Sequence, residues 1–244
     1  MFPQDKENHK AGDPLELTIK NVKYTFRWCP AGTFQMGSPQ SEANRNDNEV
    51  QHTVMFSRGF WMLESEVTMS MYLSVMGNNP SKFKRVKLPM EQVSWNDCQE
   101  YIKKLNELKV APAGFKFALP TESQWEYACR AGTTTAYHFG DTLKKGQATY
   151  GGKQIKNVGS YPANAWGLRD MHGNVGEWCA DWYGDYPTGT VTDPTGAESG
   201  SSRVIRGGSW FEDTEFCRSA FRGYFDPSDW NNLFGFRLAL VSGE

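Results

Sequence analysis

Beyond Gly132 the sequence sustains no apolar repeat of period 2 or 3.6. It runs on through glycine, aromatic and Asn/Asp residues, with only short strand candidates at Arg203–Arg206 and 235–240. Such a stretch folds as loops on a scaffold supplied by the rest of the chain. Long irregular connections inside a compact domain usually carry function. No internal repeat or low-complexity tract offers another way to order it.

The scaffold is legible upstream. Residues 1–20 read as a polar lead-in to a single domain over 21–244. Val22, Tyr24, Phe26 and Trp28 are apolar at every second position, which predicts a half-buried strand, turned at 30–32 and continued through Phe34 and Met36. Residues 38–48 are polar and turn-rich, a surface loop. Three short helices follow, each with a start signal. Thr68 caps the first, which places Met71, Tyr72, Val75 and Met76 on one side and stops at Gly77. Ser94 caps the second, with Trp95, Cys98, Ile102 and Leu105 at helical spacing. Thr121 to Gln124 form a capping box for the third, which closes at Gly132. Strands near both ends, helices between them and a loop-rich second half make an α+β domain.

Composition narrows the class. Hydrophobic residues at 39% and nine tryptophans supply a core. Lys and Arg number 26 against 28 Asp and Glu, and the basic residues form no long run, so nucleic acid is not expected as a partner. No stretch approaches the roughly 20 apolar residues of a transmembrane helix, and the residues after Met1 lack the apolar core of a signal peptide. Cys29, Cys98, Cys129, Cys179 and Cys217 are odd in number and show no CxxC spacing. They are expected to be buried and inert rather than disulfide-bonded or zinc-bound.

Six motifs follow in order: Pro-Ala-Gly-Thr-Phe-Gln-Met-Gly-Ser at 30–38, Pro-Met-Glu-Gln-Val-Ser-Trp at 89–95, Leu-Pro-Thr-Glu-Ser-Gln-Trp-Glu-Tyr-Ala at 119–128, Gly-Leu-Arg-Asp-Met-His-Gly-Asn-Val at 167–175 with Glu177 and Trp178, Arg-Gly-Gly-Ser-Trp at 206–210, and Gly-Phe-Arg-Leu-Ala at 235–239. Read physically they are mostly architectural: glycines for tight turns, tryptophans for buried area, and Arg206, Arg222 and Arg237 as forks that tie loops to carboxylates or carbonyls. The series resembles the sulfatase-modifying-factor family, the formylglycine-generating branch of the C-type lectin fold, over about residues 22–240. In catalytic members the resemblance implies two copper-binding cysteines after the Gly-Gly-Ser motif. Their positions here are Glu212 and Cys217, and a carboxylate is a poor replacement for a thiolate at copper(I). The expectation is therefore that the chain is not an enzyme and requires no cofactor. The alternative is a formylglycine-generating-type oxidase acting on a peptide cysteine. The resemblance also implies a structural calcium held by the side chains of Asp170 and Glu177 and the carbonyls of Gly173 and Val175. Asp170 and Glu177 are equally suited to capping turns and pairing with arginine. His9, His52, His138 and His172 are widely separated and not at metal-ligand spacing, and His172 reads as a turn residue.

Residues 207–240 hold two kinds of position. Gly207, Gly208, Trp210, Cys217, Arg218, Arg222, Gly235 and Arg237 read as scaffold. Between them aromatics alternate irregularly with Asp, Glu and Asn and without Lys. Those aromatics follow neither regular period, so several are exposed, as in a binding surface of rigid rings. This arrangement resembles the variable region of diversity-generating-retroelement proteins. The expected ligand-binding residues are Phe211, Glu212, Asp213, Glu215, Phe216, Phe221, Tyr224, Phe225, Asp229, Trp230, Asn231 and Asn232. The resemblance implies a protein ligand and display at the cell surface or outside the cell.

Overall fold

A computed structural model describes residues 9–152 and 154–243. It contains three helices, α1 (Met69–Met76), α2 (Trp95–Glu107) and α3 (Glu122–Arg130), and twelve short strands. The strands β1 (Pro14–Ile19), β2 (Val22–Cys29), β5 (Phe60–Leu63), β6 (Phe115–Ala118) and β12 (Ala239–Ser242) form a five-stranded sheet in the order β1-β2-β5-β12-β6. A second sheet, β10-β9-β7-β11, joins Gly223–Phe225, Arg203–Arg206, Gly176–Trp182 and Phe234–Gly235. A third pairs β3 (Gly32–Met36), β4 (His52–Phe56) and β8 (Thr190–Thr192). The architecture is α+β and loop-rich, as expected. No helix among the described residues is long and apolar enough to cross a membrane.

Each helix begins where a side chain satisfies an otherwise unpaired backbone N–H. Thr68, Ser94 and Thr121 accept from the third helical residue, and Met71, Asp97 and Gln124 reach back to the cap N–H. Gly77 ends α1 in the left-handed region. The strand read at 22–28 is β2, whose Tyr24 and Phe26 face the main core while Cys29, on the other face, packs in a second cluster with Trp125 and Cys129.

The lead-in reading fails in part. Residues 14–19 pair residue for residue with β2, from Pro14 opposite Arg27 to Ile19 opposite Val22. Leu15, Leu17 and Ile19 share one face of the strand, with Ile19 buried and the two leucines packed against the core. This alternation is the physical reason that 14–19 belong to the domain.

Buried ion pairs fasten the end of β9 to α3. Arg206 bonds Glu126 at 2.5 Å and Glu122 at 3.1 Å, and Arg130 bonds Glu126 at 2.8 Å. All four of these side chains are buried, so removing one partner strands a charge inside the protein. The five cysteines are free and buried, as expected.

Candidate functional site

The loop-rich segment rises from the second sheet. β9 ends at Arg206, and the chain turns through Gly207 and Gly208, both at positive φ, +92° and +67°. At Gly208 a Cβ would come within 2.7 Å of the Phe216 carbonyl and 2.8 Å of Cys217 Sγ, so only glycine lets the turn sit on the 214–217 segment. The Trp210 indole N–H bonds the Asn232 carbonyl at 3.0 Å, closing the stretch on itself. A 3-10 turn at Thr214–Cys217 brings Cys217 inward. Arg218 then grips Glu42 at 2.7 Å and Glu49 at 2.6 Å, and Arg222 grips Glu122. β10 pairs with β9, placing Tyr224 opposite Val204 and Phe225 opposite Arg203. Residues 227–231 are held against α2 and its approach by Asn96 N–H to Pro227 O and Gln92 N–H to Asn231 O.

On this buried frame the intervening side chains face outward. Phe211 and Trp230 are each 60% exposed, Tyr224 51% and Phe225 39%. Asp213, Glu215 and Asp229 are exposed, and Glu212, Phe216, Phe221, Asn231 and Asn232 are half-buried. Phe216 and Phe221 meet edge to face at 5.2 Å and, with Asn44, Arg45 and Asn46, bound a cavity of about 240 Å³. The side chain of Asn231 accepts from Leu233 N–H at 2.7 Å, so it shapes the local turn. Two contributors lie outside the expected stretch. Tyr183 stacks on Tyr224 at 4.1 Å, its hydroxyl held by Asn48 at 2.7 Å, and the 44–46 loop walls the Phe216–Phe221 cavity. The aromatic pair Trp182-Tyr183 within a Gly- and Asp-rich run was the available signal for the first. Nothing local marked the second.

The cysteine position expected from the resemblance does not fit a copper ion. Cys217 is fully buried, its Sγ lies 3.7 Å from the Asp213 carbonyl, and burial followed by the nearby charge of Glu212 pushes the thiol up. Position 212 offers a hard carboxylate in place of a second thiolate.

Of the expected calcium ligands, Glu177 is already engaged by arginine. Arg237 holds both oxygens of Glu177 at 2.6 Å, and Trp125 Nε1 donates to Oε2. Glu66 and Asp170 lie within electrostatic reach of this pair, so three buried carboxylates crowd around Arg237, with Arg169 also acting on Asp170. Burial first, then the charges of Asp170 and Glu177, push Glu66 well above the ordinary carboxylate range, and its Oε2 is buried with no hydrogen-bond partner. Burial raises Asp170 to about 6. A divalent cation would balance this excess. No three His, Cys, Asp or Glu side chains converge as a ready metal site among the described residues, so the carbonyls of Gly173 and Val175 would have to complete the donor set.

The histidines depart from expectation. His138 and His172 stack with ring centroids 4.7 Å apart, although 34 residues separate them. His172 Nδ1 lies 2.7 Å from the Cys217 carbonyl, while its Nε2 accepts from His138 N–H at 3.2 Å. Those partners fix a neutral tautomer, and burial lowers His172 to about 3 and His138 to about 4. His172 thus braces the 3-10 turn from below, a role beyond that of a turn residue.

A model of the sulfatase-modifying factor enzyme 1-like domain matches residues 20–241. The formylglycine-generating enzyme of Streptomyces coelicolor is 34% identical over 182 residues, covering 64% of this chain and 55% of that protein. The serine/threonine-protein kinase pkn1 of Chlamydia caviae is 42% identical over 126 residues, 50% of this chain and 20% of that protein. The chain thus spans about a fifth to about half of these curated relatives. Among solved structures, Treponema denticola variable protein 1 superposes with a TM-score of 0.83 at 28% identity, covering 93% of this chain and 98% of that one. These findings correct one expectation. Relatives named formylglycine-generating enzyme, at 34% identity in Streptomyces and 33% in mouse, overturn the reading of this chain as not an enzyme.

Proposed function

Since the chain belongs to the sulfatase-modifying factor enzyme 1-like family, we propose that it binds a ligand through a face built by residues 211–233 on a C-type lectin-like scaffold. One observation carries the reading: large rings at Phe211, Tyr224, Phe225 and Trp230 are exposed, while the positions between them, Cys217, Arg218 and Arg222, are buried and bonded to the scaffold. Rigid aromatic side chains supply contact area at small entropic cost. The similarity to Treponema denticola variable protein 1 supports the same reading. A protein ligand and display at the cell surface form part of the proposal.

A second reading, oxidation of a peptide cysteine in the manner of formylglycine-generating enzymes, is favoured by the names of the relatives. Two experiments separate the two. Gene copies from several isolates should differ in clusters within 211–233 while Gly207, Gly208, Cys217, Arg218 and Arg222 stay fixed. Incubation with a cysteine-containing peptide, followed by mass spectrometry for an aldehyde, tests the second. Invariant 211–233 sequences together with aldehyde formation would replace the first reading by the second.

A further inference from the structure

Charge is segregated within this segment, and the segregation says what kind of partner the face accepts. The inference rests on the reading of residues 211–233 as a binding face. From 207 to 243 there is no lysine, and the three arginines are buried on acidic partners: Arg218 on Glu42 and Glu49, Arg222 on Glu122, Arg237 on Glu177. The exposed ionisable side chains, Asp213, Glu215, Asp226 and Asp229, are all acidic. Every positive charge of the stretch is thus turned inward to hold the fold, and every solvent-facing charge is negative.

Exposed cations on neighbouring elements gather at the Trp210 edge of the face, away from Tyr224 and Trp230. Arg45 is 11% exposed at its side chain and bonded to Ser38 and Gln40. Arg203 is sandwiched between Trp95 and Trp182, at 3.9 and 3.4 Å from the ring centroids. An exposed basic run at 82–87 begins beside Phe83, whose ring packs on Trp210 at 6.2 Å, and exposed Lys156 follows the Gly151–Gly152 segment that bonds the Glu212 and Trp210 carbonyls.

We propose that the partner is a basic polypeptide segment in which Lys or Arg alternates with apolar side chains. Ammonium or guanidinium groups would meet the four carboxylates, and their methylene stems and heads would lie over Tyr224 and Trp230. The same chemistry recurs inside the protein, where the Arg222 guanidinium lies 3.7 Å from the Tyr186 ring centroid. A polyanion is repelled by this face. A neutral glycan would use the rings but gain nothing from the carboxylates.

The test is fluorescence anisotropy with three labelled peptides of equal length, alternating Leu with Lys, with Glu or with Ser. The Lys peptide should bind at least about tenfold more tightly than the others, and rising salt should weaken it. Joint replacement Asp213→Asn, Glu215→Gln, Asp226→Asn and Asp229→Asn should weaken it about tenfold or more, as should Trp230→Ser, which leaves the charge unchanged. The same number of amide replacements at exposed Glu100, Glu107, Asp141 and Glu198 should leave it unchanged. Equal loss from the two charge sets, or no binding of the Lys peptide, overturns the inference. Preferential binding of the Glu or Ser peptide, abolished by Trp230→Ser, overturns it while leaving the binding-face reading in place. Insensitivity of all three peptides to every replacement on the face overturns both.

Discussion

Arg222 clasps both oxygens of Glu122, at 2.7 and 2.9 Å, with both side chains buried, two residues before the exposed ring of Tyr224. The pair joins the base of the 211–233 segment to the first turn of α3. Breaking it by Arg222→Met leaves Glu122, which Arg206 also contacts, short of its bidentate partner. Loss of one partner of a buried pair typically costs about 3–5 kcal/mol. Lysine lacks the planar fork, so Arg222→Lys should recover only a small part. Chemical denaturation of the two variants checks this, and full rescue by lysine would show that charge alone suffices.

The pH dependence of stability should carry the mark of Asp181. Burial first, and then the charge of Glu122, push its carboxyl from the ordinary 3.8 up to about 8. The folded state therefore holds the proton more tightly than the unfolded chain does. The stability this confers is complete below about pH 3.8 and is lost as pH rises through about 8. Asp181→Asn keeps an oxygen for the Glu122 N–H, bonded at 2.7 Å. Between about pH 6 and pH 9 the melting temperature of the natural protein should fall relative to this variant. Parallel curves would show that Asp181 is not the group responsible.

Calcium is expected to relieve the excess charge around Arg237. Adding it to chelated protein should raise the melting temperature by mass action. Glu66→Gln preserves an oxygen for Asn174, which donates to Glu66 Oε1 at 2.9 Å, and removes the repulsion with Asp170 and Glu177. It should stabilise the calcium-free protein at neutral pH and shrink its response to calcium. An absent response in the natural protein, with no gain from Glu66→Gln, would place the excess charge elsewhere.

What the sequence revealed and what it hid divide along physical lines. The helix starts at Thr68, Ser94 and Thr121 are readable because a capping box is complete within four residues. The arginine forks at Arg206, Arg222 and Arg237 were expected, but their partners Glu122, Glu126 and Glu177 lie 60 or more residues away in sequence for every bond these forks make to them. β7 escaped notice because Glu177, Trp178 and Cys179 are all buried in succession, which gives no alternation to read. The His138–His172 stack and the Tyr183–Tyr224 stack are long-range contacts with no local signature. The exposed rings were legible for the opposite reason: aromatics at no regular period cannot all be core.

The central claim is that residues 211–233 carry rings the fold does not need. Denaturant unfolding of one protein combining Phe211→Ser, Tyr224→Ser and Trp230→Ser, beside Phe236→Ala, tests it most directly. Phe236 is fully buried between Tyr72 and Tyr101, and its loss should cost about 3–5 kcal/mol. The triple replacement should cost less than about 2 kcal/mol in all, as surface changes do. A loss equal to or greater than that of Phe236→Ala would show that these rings hold the fold together and would contradict the account.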